Sequence, residues 1–364
     1  MMAYTILVAA LFGAAAGSFL NVCVFRLPRE GLSVSRPKRS FCPSCGFAIP
    51  WQDNIPLWSW LRLGGRCRSC SAPISVRYLA VEGLTALLFV LVAQRFLIAE
   101  WSPAAFIAVA VLAAALVAAS FIDIELRVIP DEITLPGLAL APAVLLLAPD
   151  IHAGDSWIAW LLAGATRRLE PLAASLPAFL RGWPGTAAAV AVAAAAASAA
   201  GLFGYAAYWR RFHADAPKKL RDCWLAAVLA AWAAGMATLG AIRPDLLLAP
   251  PVFAFWAGAA GMLVGSTLVL AVGVVGSWFA RKPAMGFGDV KLMGVLGAFT
   301  GWVGVIAAFL IACFLGSFVG VFLWLRYRSR YLPFGPLLAA GGLAMVLFPE
   351  AFAAAVRWYL GLFR

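Results

Sequence analysis

Residues 286–291 read Gly286-Phe287-Gly288-Asp289-Val290-Lys291, GFGDVK, and they lie between two apolar runs. VFAFWAGAAGMLVGSTLVLAVGVVGSWFA precedes them and LMGVLGAFTGWVGVIAAFLIACFLGSFVGVFLWL follows. Each run exceeds the roughly 20 apolar residues that a membrane-spanning helix needs. They decide the fold class, and they leave a carboxylate flanked by glycines at the edge of a span. Ionisable groups at membrane depth are costly, so such a residue points first to function.

Working outward, the whole chain has the same character. Of 364 residues, 64% are hydrophobic and 12% charged, with a mean hydropathy of +0.93. A soluble domain carries about 25% charged residues. The pattern predicts an all-α polytopic membrane protein with about 9–11 transmembrane or interfacial helices. A β-barrel would show short alternating segments instead. The N-terminal MMAYTILVAALFGAAAGSFLNV lacks a basic n-region, so it reads as a retained first span and not a cleaved signal.

The net charge is +12. No basic, aromatic-interleaved domain is long enough for an RNA or DNA module, so nucleic acid is not expected as a partner. Lys and Arg accumulate instead in cytoplasmic loops and suit anionic membrane lipid. The loop from Arg26 to Arg77 carries nine basic residues against Glu30 and Asp53. It is expected on the cytoplasmic side, with the N-terminus outside.

Further spans are expected at about 79–98, 103–122, 133–149, 184–208, 223–242 and 251–279. Residues 150–183 read as an external loop with an interfacial helix. Segments at about 290–300 and 303–325 make an outward and return pass, and a last pass at about 334–348 precedes an interfacial helix or a short further pass. The basic stretches WRRFHADAPKKLRD and RYRSR both fall on the cytoplasmic side of this scheme. Asp123 and Asp289 then share that side.

The first loop contains CPSC (Cys42, Cys45) and CRSC (Cys67, Cys70). Two Cys-x-x-Cys pairs about twenty residues apart are a zinc signature. Four thiolates suit tetrahedral Zn²⁺, and a site closed by four protein ligands is structural. The competing reading is a redox dithiol, which a reducing cytoplasm disfavours. Cys23, Cys223 and Cys313 sit in or beside apolar runs and read as packing residues.

SFIDIELRVIPDEIT places Asp123 at the end of a span and Asp131 after Pro130. Two carboxylates in one site do not both ionise easily; one keeps a proton as general acid while the other activates water. Asp123 and Asp289 are candidates for such a pair, with Asp131 a competing partner or a helix cap. Each aspartate alone reads first as an interfacial charge that caps a helix or pairs with Arg127, Lys282 or Lys291. With only His152 and His213 present, the chain has no His-Glu-x-x-His zinc motif, and no Gly-x-Ser-x-Gly elbow. A Ser–Lys pair using Lys291 is a weaker option.

These blocks resemble the bacterial type IV prepilin peptidases, the leader peptidase/N-methyltransferases. The resemblance runs through GSFLNVCVFRLPR, then RSFCPSCGFAIPWQDNIPLWSWLRLGGRCRSCSAPISVRYLAVEGLTALLF, then IDIELRVIPD, GFGDVKLMGVLGAFTG and PFGPLLAAGG, in family order. It implies a GxGD intramembrane aspartic peptidase in the bacterial cytoplasmic membrane. Asp123 and Asp289 would be the catalytic pair and Asp131 a supporting residue. The implied substrates are type 4 prepilins and pseudopilins, cut after a glycine on the cytoplasmic face. Relatives with the cysteine loop also methylate the new N-terminal amine with S-adenosylmethionine. No glycine-rich nucleotide fingerprint appears here, so that activity rests on the resemblance; its methyl-donor contacts stay unassigned, with Asn21 and Glu82 as guesses.

The implied organisation is a first transmembrane helix (1–25), a zinc loop associated with methyl transfer (26–78), a peptidase membrane core (79–149 and 251–350) and an inserted helical region (150–250). A peptidase without methylation is the nearest alternative. An ion- or proton-coupled transporter or assembly subunit is the alternative from another class.

Overall fold

A computed structural model describes residues 2–152 and 250–362, apart from short gaps at 30–31, 36, 38, 282–284 and 329–331. Among these residues the chain is helical, with two isolated β-bridges and no strands. It divides into two compact units, 1–133 and 134–364.

In the first unit α1 (Met2–Arg26) leads into the cysteine loop, which holds the short α2 (Trp58–Arg62). Then come α3 (Arg77–Ala93), prolonged by a π-helical turn Gln94–Ala99, and α4 (Pro103–Leu126). Pro103 suits a helix start because its missing N–H would be unpaired there anyway. α4 ends on Arg127 in the left-handed conformation, its N–H bonded to the Asp123 carbonyl at 2.9 Å.

α1 packs on α3 through small residues four apart. A Cβ on Gly13 would stand 2.7 Å from Ala86 Cα, and one on Gly17 would stand 2.6 Å from Glu82 Cα. Such stripes matter in lipid, where backbone approach and dispersion replace the hydrophobic effect between helices. Asn21 is the next residue on the stripe, and its amide Nδ2 donates to the Tyr78 carbonyl at 3.1 Å.

The second unit contains most of α5 (Asp131–Leu147), then α6 (Pro250–Ala280), α7 (Phe287–Tyr327), α8 (Gly335–Leu347) and α9 (Pro349–Gly361). α6 and α7 meet at Gly261 and Gly297, where a Cβ on either would collide with the other's carbonyl. α7 breaks at Gly301, with φ 70° and ψ 174°. The break reverses the chain. Met293 and Val305 flank it, yet both touch the position of a Cβ on Gly265. A straight helix would hold residues twelve apart at about 18 Å. The two limbs of α7 match the separate segments expected at 290–300 and 303–325.

Among the described residues, five helices are long and apolar enough to cross a membrane: α1, α3 with its π turn, α4, α6 and α7. The chain is therefore a multi-pass, all-α membrane protein, as expected. α5 matches the anticipated 133–149 element at 17 residues. α8 and α9 meet at 91°, at the end of the expected final pass. The expected spans at 184–208 and 223–242, and nearly all of the 150–183 loop, lie outside the described residues.

Candidate functional site

The cysteine loop folds as two matching knuckles. In the first, the Gly46 N–H donates to the Cys42 carbonyl at 2.8 Å and the Cys42 N–H to Phe47 at 2.9 Å. In the second, the Ser71 N–H donates to Cys67 and the Cys67 N–H to Ala72, both at 2.9 Å. Each is closed by one bridge, Phe41 with Ala48 and Arg66 with Pro73. Gly46 and Ser71 both have positive φ, 72° and 57°, so the second knuckle holds a serine where the first has glycine.

The knuckles bring the thiols of Cys42, Cys45, Cys67 and Cys70 within 4.8 Å of one another. That donor set fits a tetrahedral metal ion. The electrostatics of the cluster agree. Burial raises the Cys42 thiol, but the Cys45 and Ser44 N–H groups and the neighbouring thiols outweigh it and lower it to about 6. At Cys70 the Ala72 N–H favours the thiolate, yet Cys45, burial, Cys67 and Cys42 push it up to about 11. One thiolate forms readily while the crowd resists the last; a bound cation removes that resistance.

Asp53 ties the loop together. Its side chain is only 4% exposed and takes Arg68 at 2.6 Å and Arg62 at 2.7 Å. The Arg68 hydrogen bond, opposed by burial and helped by the charges of Arg68 and Arg62, holds its carboxyl below the usual range. Arg26, read in sequence only as loop charge, is 4% exposed. Its guanidinium donates to the carbonyls of Ser33, Val34, Pro37 and Arg39 at 2.7–3.3 Å, fastening the loop to the end of α1.

Beneath the knuckles lies a cavity of about 420 Å³, bounded by α1, the loop, the start of α3 and the end of α4. Glu82 reaches it from α3 and is 7% exposed. Its Oε2 accepts the Leu57 N–H at 2.6 Å, and Ser18 is a second hydrogen-bond partner. Leu57 has φ 62° and ψ −50°, with the Trp58 N–H bonded back to Pro56 at 2.6 Å. This is the strained form of the γ-turn. Arg77 pairs with Glu125 on the cavity's other wall, two residues beyond Asp123.

Asp123 occupies the last turn of α4 and is 6% exposed. Asp289 occupies the first turn of α7, after Gly286 in extended backbone. A carboxylate is favoured there by the helix dipole. Asp123 lies in the first unit and Asp289 in the second. Asp131 is the first residue of α5, directly after Pro130. Lys291 is 4% exposed, its ammonium 4.8 Å from the Phe287 ring centre. The α1–α3 glycine stripe, the strained Leu57 and the Arg77–Glu125 pair went unrecognised in the sequence. Only the Gly13-x-x-x-Gly17 spacing offered a signal for any of them.

Two family models match the chain. The bacterial peptidase A24 N-terminal domain covers residues 11–96, and the type IV leader peptidase family covers residues 220–321. A prepilin leader peptidase/N-methyltransferase of Aeromonas hydrophila is 30% identical over 375 residues, spanning 96% of this chain and 92% of that protein. The protein of the same description from Pseudomonas putida is 27% identical, spanning 99% and 96%. One from Myxococcus xanthus is 45% identical over 128 residues, 35% of this chain and 36% of that protein. No solved structure matches the chain. Alignment over nearly the full length of both chains, with the cysteine knuckles inside one family domain and the GFGD helix start inside the other, places this protein in the prepilin leader peptidase/N-methyltransferase family.

Proposed function

We propose that this protein cleaves the leader peptide of type 4 prepilins and pseudopilins and N-methylates the residue so exposed. The near full-length match to a relative with both activities in its name carries this reading. Asp123 and Asp289 are the proposed catalytic pair. One carboxylate takes a proton from water as the water oxygen attacks the scissile carbonyl carbon. The other, protonated, delivers its proton to the leaving amide nitrogen as the C–N bond breaks. The placement of both at ends of apolar helices supports this.

The four cysteines would hold zinc, which at a closed thiolate site organises the loop and takes no part in bond breaking. S-adenosylmethionine would supply an electrophilic methyl carbon to the new amine. The organisation follows: first helix 1–25, zinc loop 26–78, peptidase core 79–149 and 251–350, insertion 150–250. The basic loop charges support an N-terminus outside and both aspartates on the cytoplasmic face. Membrane lipid is the solvent for the core. A transporter would leave the cysteine knuckles without a role.

The test is co-expression with a prepilin and mass spectrometry of its N-terminus. Leader loss together with one added methyl mass is the expected result; an unprocessed pilin refutes the reading.

A further inference from the structure

Part of the wall of the cavity beneath the knuckles carries acceptors that lack donors. Asn21 is 2% exposed and lines it, and its Oδ1 has no hydrogen-bond partner. The orientation is fixed, because Nδ2 is committed to the Tyr78 carbonyl. A buried acceptor left unpaired costs about 1–3 kcal/mol, so it calls for a donor or a positive centre.

Glu82 makes the same demand more strongly. Its carboxylate takes the Leu57 N–H and is near Ser18, but no Lys or Arg pairs with it among the described residues. The other carboxylates on the cavity wall are neutralised: Asp53 by Arg62 and Arg68, Glu125 by Arg77. Arg26 and Arg29 also line the wall, but Arg26 donates to four loop carbonyls and Arg29 to the Phe25 carbonyl, and a strained backbone turn positions the Glu82 carboxylate.

The wall is mixed: Phe25, Phe41 and Trp60 give it aromatic faces, and Arg26, Arg29, Arg68 and Arg77 also line it. The volume falls in the ordinary range for a small-molecule site, about 300–1,000 Å³. A purine ring suits such faces, and a sulfonium suits a carboxylate beside a carbonyl oxygen.

We propose that this cavity is the methyl-donor site, with the cationic end of S-adenosylmethionine held by the Glu82 carboxylate and Asn21 Oδ1. The inference rests on the methyltransferase reading above. It also gives the knuckles a purpose: Cys42 and Cys67 line the cavity, so the metal-binding loop is its roof.

The experiment measures equilibrium binding of labelled S-adenosylmethionine and of S-adenosylhomocysteine, in which the sulfonium is replaced by a neutral thioether. It uses the metal-loaded protein in detergent, with pilin methylation followed on the same preparations. Glu82→Gln and Asn21→Leu are each expected to weaken S-adenosylmethionine binding by about tenfold to a hundredfold, with a smaller loss for the thioether. Asn21→Leu should melt close to wild type, because loss of the Nδ2 bond to the Tyr78 carbonyl is offset by removal of the unpaired buried Oδ1. That variant decides the matter alone if Glu82→Gln does not fold.

Wild-type affinity in the variants of a methylating protein overturns the proposal. Equal losses for both ligands overturn it too, because the cation would then not be what the site reads. Unchanged donor affinity with a raised KM for pilin assigns the site to the substrate amine and likewise refutes it. A wild-type protein that cleaves pilin but neither binds the donor nor methylates refutes the underlying methyltransferase reading instead.

Discussion

Gly17 lies so close to Glu82 that a Cβ on the glycine would stand 2.6 Å from the Glu82 Cα. The approach sets the antiparallel register of α1 on α3. Gly13 faces Ala86, Gly17 faces Glu82, and Asn21 reaches Tyr78. That register delivers Asn21 and Glu82 to one cavity.

Gly17→Val should therefore force α1 and α3 apart. The expected loss is about 1–3 kcal/mol, the usual cost of overpacking. Thermal unfolding of the purified protein in detergent checks it; a midpoint equal to wild type would contradict the close packing.

Gly301→Ala should destabilise the second unit. At φ 70° and ψ 174° the backbone is in a region nearly reserved for glycine, and a side chain there costs about 1–3 kcal/mol. The chain reverses at this residue, so the variant's melting midpoint should fall. An unchanged midpoint would mean that the reversal tolerates a Cβ.

Asp123→Asn and Asp289→Asn should each cut prepilin cleavage by about a hundredfold or more while the protein remains folded. Leader removal, read by electrophoretic mobility or mass, and the melting midpoint are measured together. Full cleavage by either variant would exclude that aspartate from the acid/base pair.

Cys67→Ser should lower bound zinc and loosen the loop. Elemental analysis of purified protein and limited proteolysis within 26–78 provide the readouts. Undiminished zinc with an intact loop would rule out Cys67 as a ligand.

The Asp53 clamp should show its own pH dependence. Its folded-state pKa lies below the ordinary Asp value of about 3.9, chiefly through the Arg68 hydrogen bond. Its stabilising contribution is therefore complete above about 4 and is lost as pH falls through the depressed folded value. Asp53→Asn should loosen the loop near neutrality and remove that acid step. Amide exchange of the loop between pH 3 and 7 follows both; an unaltered acid step in the variant would assign the transition to other groups.

Much of this molecule is legible in one dimension. Long apolar runs fix the helices, because backbone groups in lipid must be satisfied within each segment. The Cys-x-x-Cys spacing announces a metal knuckle because each turn is local. Even the break within 287–327 shows as a gap between two apolar segments, with Gly301 at the junction. Other features depend on partners far along the chain. Arg26 reads as one more loop charge until its guanidinium is seen to gather four carbonyls. Leu57 reads as an apolar loop residue until its N–H is seen on Glu82.

The sequence by itself determined the class of protein, the helical segments and the chemistry its side chains offer. Those properties follow from hydropathy, spacing and residue type, which act over a few neighbours. Only the tertiary structure decided which acceptor stays unpaired, which carboxylate lacks a cation and which cavity both share. Those are differences left after distant groups have paired, and helix register, set by glycines at close contact, decides which groups meet.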